Sequence, residues 1–213
     1  MEIVKETKIP DDGMTQRYDV VKELGDCYAS VGDYNQAHAC YERATTLAPD
    51  EAGPYIGLGV IAMQQGDCAN AEIAFKVARR LDRNDSKAYC GLAMVYQNSQ
   101  RYGEALELYL KSLEINSDDL TALLGLFQVS CQTKSFSKVI YYLQLYLDMH
   151  PGDTAVMFCL AALQLKDGNV GQAKDILLGI LALEPDNSDA QSLLEEAEHT
   201  LAEKNIPKAQ VKN

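Results

Sequence analysis

Leu24–Asp50 reads LGDCYASVGDYNQAHACYERATTLAPD, and its pattern returns along the chain at a fixed interval. A step of 34 residues from Leu24 reaches Leu58, Leu92, Leu126 and Leu160, with no insertion or deletion between them. The same step links Ala37, Ala71, Ala105, Val139 and Ala173. It also links Tyr41, Phe75, Tyr109, Leu143 and Leu177, and again Leu47, Leu81, Ile115, Met149 and Leu183. A period of this length fits a helix–turn–helix unit that cannot bury its apolar face alone and must stack on its neighbours. The chain therefore reads as all-α, built of antiparallel helix pairs. Five repeats fall at about 18–51, 52–85, 86–119, 120–153 and 154–187, within a single array over 14–204.

Turn residues place the helices. The first helix is expected from Met14–Tyr18 to Val31, and Gly32-Asp33 ends it, since glycine takes the left-handed conformation that closes a helix. The second runs from Tyr34 to about Ala48 and stops at Pro49-Asp50. Gly66-Asp67, Ser99-Gln100-Arg101 and Asp167-Gly168-Asn169 are internal turns, and Asn84-Asp85-Ser86 reads as an exit turn with an N-cap. The fourth repeat departs most. It carries Phe127 where others have Gly25, Gly59, Ala93 and Ala161, with Ser130, Val139 and Tyr146 at further altered places. Bulky residues at small positions are expected to widen that helix pair unless Phe127 refills the volume Ser130 gives up. Residues 188–204 place Ala190, Leu194, Ala197 and Leu201 on one stripe and Glu195, Glu196, Glu198 and Glu203 elsewhere, the pattern of a terminal capping helix. Residues 1–13 read as a charged arm and 205–213 as a polar tail.

Composition narrows the function. Net charge is -12, with 31 acids against 19 bases, which opposes nucleic-acid binding and anionic membrane surfaces. The longest apolar stretch, Ala155–Leu165, is too short to cross a bilayer, and residues 1–17 hold no apolar run of a secretory signal. Cys27, Cys40, Cys68, Cys90, Cys131 and Cys159 lie in different columns with no Cys-x-x-Cys pair, so free thiols in a cytoplasmic protein are expected. His38, His150 and His199 are far apart, and no metal or cofactor is expected. No phosphate-cradling loop or nucleophile motif is present, so the chain reads as non-enzymatic.

The repeat resembles the tetratricopeptide (TPR) family signature over about residues 18–187. Leu24-Gly25 and Tyr28 match its first helix, and Ala37, Tyr41, Ala44 and Pro49 its second. The resemblance implies a right-handed α-solenoid whose concave face is lined by the first helix of each pair. One column facing that groove is Lys22, Ile56, Cys90, Leu124 and Phe158. Another is Asp26, Val60, Met94 and Gln128, flanked by Gln64 and Asn98. With Asp19 and Glu23, these form the expected partner-binding set, acidic at one mouth and apolar with amides beyond. Ile56, Val60 and Leu124 are either a docking patch or covered by neighbouring helices. Gly57, Gly91 and Gly125 share a column too, and either bare the groove floor or relieve crowding between helices.

Some members of the family hold a chaperone's C-terminal carboxylate with a lysine–asparagine–arginine clamp. Lys22 and Lys87 match two of its places, but Asp26, Gly57 and Gly91 stand at the others, so that role is disfavoured. The expected function is an adaptor holding a peptide segment of another protein, with basic and apolar residues. The alternatives are a self-assembling scaffold, hence a homo-oligomer whose arm or terminal repeat enters a neighbour's groove, and a secretion-type chaperone.

Overall fold

The computed structural model describes residues 12–205, with side chains over residues 17–203. The described backbone holds eleven helices and no strand. They are α1 (Asp12–Ser30), α2 (Tyr34–Leu47), α3 (Ala52–Gln64), α4 (Cys68–Leu81), α5 (Ser86–Asn98) and α6 (Tyr102–Ile115). After these come α7 (Leu120–Thr133), α8 (Ser137–Met149), α9 (Thr154–Lys166), α10 (Val170–Leu183) and α11 (Ser188–Asn205). Helix α1 begins two residues before the expected Met14; the rest of the expected arm and most of the expected tail lie outside the described residues. The chain divides between Asn116 and Ser117 into two compact units, α1–α6 and α7–α11.

Local chemistry repeats with the period. Asp85, Asp119, Asp153 and Asn187 each accept a backbone N–H at the start of a first helix, from Lys87, Ala122, Val156 and Ala190. These caps satisfy amides that the helix itself cannot pair. Glu51 holds the same place before α3 and makes no such bond. The turns within the pairs share a left-handed residue: Gly32 (φ 81°), Gly66 (77°), Gln100 (59°), Lys134 (54°) and Gly168 (86°). Two repeats thus hold this conformation without glycine.

In the first unit α5 is packed by α4 before it and α6 after it, and Leu92 is fully buried there. The alanine column from Ala37 to Ala173 is buried throughout, as is the Tyr41-to-Leu177 column beside it. The five-leucine column is less uniform than its sequence. Leu92, Leu126 and Leu160 are buried and Leu58 is partly so, but Leu24 is 45% exposed. Among the described residues helix α1 packs mainly against α2 and α3, and no helix before it covers the face that a preceding repeat covers elsewhere. Met149 and Leu183, in the fourth column, are also exposed.

In the second unit, α7 and α8 pack on each other less closely than the two helices of any other repeat. Val139 is buried where the other repeats have alanine, Tyr146 is buried where the first three have Ala44, Ala78 and Ser112, and Phe127 is only partly buried. Bulk at those positions holds the two backbones apart. Ser130, buried, donates its hydroxyl to the Phe127 carbonyl at 2.6 Å, so its polar atom is satisfied within its own helix. Helix α11 lays Ala190 and Ala197 onto Ala161, Val170, Leu177 and Ile180, with Leu194 and Leu201 at the margin. Lys174 reaches Glu198 at 2.7 Å and ties α10 to α11.

Candidate functional site

The first helices of the first unit expose a row of residues one repeat apart. Asp26 on α1 is exposed, Val60 on α3 is 44% exposed and Met94 on α5 is 37% exposed. Gln64 and Asn98, one turn further on, are exposed as well. Asp19 and Glu23 extend the acidic end along α1, at the i and i+4 spacing that shares a helix face. Large apolar side chains left in water beside amides and carboxylates form a surface able to hold a chain with both apolar and basic groups.

The other expected column is placed differently. Ile56 and Cys90 are buried, leaving little surface for a partner. Lys22 is partly buried, and its ammonium is held by Asp26 at 2.7 Å. Asp26 is engaged twice, because its second oxygen accepts the Tyr41 hydroxyl at 2.7 Å. Burial first, and then this carboxylate, pushes the Tyr41 phenol well above its ordinary range. In the second unit Gln128 is exposed on α7, while Leu124 is partly buried. Phe158 on α9 is partly buried against the core that α11 closes, so its ring serves packing.

The glycine column has a packing cause. A Cβ on Gly57 would stand 2.4 Å from the Tyr41 ring, and one on Gly91 only 2.3 Å from Phe75. A Cβ on Gly25 or Gly59 would likewise stand 2.8 Å from the Tyr41 ring or 2.7 Å from the Phe75 ring. Tyr41 and Phe75 are thus each closely approached by glycines of two successive first helices. Gly57 and Gly91 therefore make room for rings, not for a ligand backbone.

No group of three or more histidine, cysteine or acidic side chains able to hold a metal is found among the described residues. Cys27 is exposed, Cys90 is buried, and burial pushes the Cys159 thiol up, away from the thiolate that reacts. No helix among the described residues is long and apolar enough to cross a membrane.

Sequence reading alone missed one surface. Val20 (63% exposed) and Leu24 on α1, with Val31 (76% exposed) in the turn after it, leave an apolar surface open. The signal for it is that Leu24 heads a column whose buried members each follow another repeat.

Three models of the tetratricopeptide repeat match the chain, over residues 23–86, 86–119 and 134–197. The chain belongs to the tetratricopeptide repeat family. Among curated relatives, cellulose synthase operon protein C of Xanthomonas axonopodis pv. citri is 29% identical over 167 residues, 75% of this chain and 11% of that protein. The chain spans between 10% and 39% of the length of the curated relatives it matches. A solved structure of YrrB, a TPR protein with an unusual peptide-binding site, superposes with a TM-score of 0.66 at 18% identity, covering 82% of this chain and 90% of that one. The first TPR of Spaghetti (RPAP3), bound to the HSP90 peptide SRMEEVD, has a TM-score of 0.53 at 26% identity, covering 56% of this chain and 95% of that one.

Proposed function

We propose that this TPR chain is a non-enzymatic protein-interaction module, an adaptor that holds a peptide segment of a partner against the exposed row of α1, α3 and α5. The observation that carries this reading is the exposure of Val60 and Met94, one repeat apart, beside Gln64, Asn98 and an acidic α1. The segment has apolar side chains for Val60 and Met94 and basic ones for Asp19 and Glu23. SRMEEVD, the peptide held by the Spaghetti domain, is acidic, and the carboxylates of α1 here oppose such a ligand. The ion pair of Lys22 with Asp26 also removes the one cation of α1 best placed for a carboxylate terminus. A cytoplasmic location accords with cysteines spread singly along the repeats.

A second reading, self-assembly as a scaffold, is favoured by the open apolar surface of Val20 and Leu24 on α1 and Val31 just after it. Light scattering over a concentration series separates the two, because only self-assembly makes mass grow with concentration.

The test of the adaptor reading starts from partners co-purified with the whole chain and confirmed one by one with purified protein. Met94→Glu is expected to raise the off-rate by setting a charge against an apolar ligand face. Asp19→Lys with Glu23→Lys is expected to slow association, since steering acts mainly on the on-rate. Asp26 is left intact because it also holds Tyr41. A direct partner that binds both variants as it binds the parent overturns the placement on this row.

A further inference from the structure

Helix α4 ends in a cluster of bases within an acidic chain. Lys76, Arg79 and Arg80 lie at i, i+3 and i+4, and Arg83 follows in the loop. With Ile73, Val77 and Tyr89 of α5 they line one concavity of about 670 Å³. Bases in the last turn of a helix complement its negative end, which by itself accounts for Arg79 and Arg80. It does not account for Ile73, which is 62% exposed at the same place, or for Arg83, which lies beyond the helix.

The arginines are not consumed by neighbouring carboxylates. Lys76 is held by Glu72 at 2.6 Å, whereas Arg80 and Arg83 make no ion pair among the described residues. Arg79 stands 6.0 Å from the centre of the Tyr89 ring, at the outer limit of a cation–π contact. The two nearest carboxylates in the sequence turn to backbone amides: Asp82 accepts from the Asn84 N–H and Asp85 from the Lys87 N–H.

We propose that this concavity docks a short acidic segment of a partner protein. Its carboxylates pair with Arg79, Arg80 and Arg83, and an apolar side chain lies against Ile73 and Val77. Guanidinium groups favour this ligand because their planar fork meets a carboxylate through two hydrogen bonds. From Ile73 to Leu81 the helix rises about 12 Å, the length of roughly four extended residues. A long polyanion or an anionic membrane would also meet the chain's net charge of -12, whereas a short segment meets only this patch. The surface is separate from the row on α3 and α5 and selects a ligand of opposite charge.

The test uses the whole chain and a fluorescent peptide of about twelve residues, with glutamates flanking a central leucine and phenylalanine. The same peptide with glutamine in place of glutamate is the control. Anisotropy is expected to show the acidic peptide bound about tenfold tighter than its control, with affinity falling as salt rises. Arg80→Glu with Arg83→Glu is expected to weaken it by at least about tenfold. Arg80→Gln with Arg83→Gln, which leaves the helix end milder, should weaken it about threefold. Ile73→Ser is expected to weaken binding, while Met94→Glu leaves it unchanged, so failure here is distinct from failure of the row on α3 and α5. Two results overturn the proposal. One is parental affinity in both arginine variants; the other is single-stranded RNA or phosphatidylserine vesicles binding at least as tightly as the acidic peptide.

Discussion

Gly57 lies so close to Tyr41 that a Cβ on it would stand 2.4 Å from the ring's Cζ. The ring has little room to shift. Gly25 also approaches it closely, its hydroxyl is held by Asp26, and only 3% of Tyr41 is exposed. Alanine at this helical position gains about 1 kcal/mol in propensity, but forcing a methyl into a filled core costs about 1–3 kcal/mol. Gly57→Ala and Gly91→Ala are both expected to destabilise the first unit in urea unfolding. Gly171→Ala, with nothing within 4 Å of its Cβ, is expected to stabilise by roughly 0.5–1 kcal/mol. Equal effects at the three positions would remove the packing explanation of the column.

Two leucines of one column separate burial from sequence pattern. Leu92 has no exposed surface and Leu24 has nearly half. Leu92→Ala is expected to lose about 2–5 kcal/mol in denaturant unfolding. Leu24→Ala should lose about 1 kcal/mol or less, because the wild-type side chain already meets water.

The left-handed turns offer a gain. Lys134 holds φ 54° and Gln100 holds φ 59°, where three other repeats have glycine. Left-handed geometry costs a residue with a Cβ about 1 kcal/mol. Lys134→Gly and Gln100→Gly are each expected to raise the melting temperature, and a fall would mean that the side chains have contacts worth more than the strain.

Tyr41 gives the protein a stability that depends on alkaline pH. Its phenol titrates well above an unfolded tyrosine, because burial and the Asp26 carboxylate both disfavour the phenolate. Above about pH 10 the unfolded chain releases this proton while the folded chain keeps it. Stability from this group is therefore complete below pH 10 and is lost as pH rises toward the folded value. Urea unfolding at pH 9 and pH 11 should show this loss, and Tyr41→Phe should reduce its slope. Tyr18 and Tyr146, also shifted upward by burial first, leave a smaller residual slope.

Removing α11 should expose Ala161, Leu177 and Ile180, the core that Ala190 and Ala197 cover. A chain ending at Asn187 is expected to aggregate or to lose protection of α10 amides in hydrogen exchange. Parental protection of α10 would show that α11 is dispensable as a cover.

The 34-residue register alone determines the helix pairs, their turns and most of the core, because each repeat must bury the same face. Ala37, Ala71, Ala105, Val139 and Ala173 could be placed from spacing alone, and all are buried. Ala190 and Ala197, on the apolar stripe that spacing gives to α11, are buried as well. Exposure needed the tertiary structure. Leu24 and Leu92 are the same letter in the same column, yet what lies against each is decided by the neighbouring helix, which a local pattern does not contain. Ile56 is buried and Val60 exposed one helical turn apart, so apolar character could not divide exposed surface from core. The glycines at 57 and 91 looked the same under either explanation until Tyr41 and Phe75 were seen against them, since a close approach between helices is a property of distance and not of sequence.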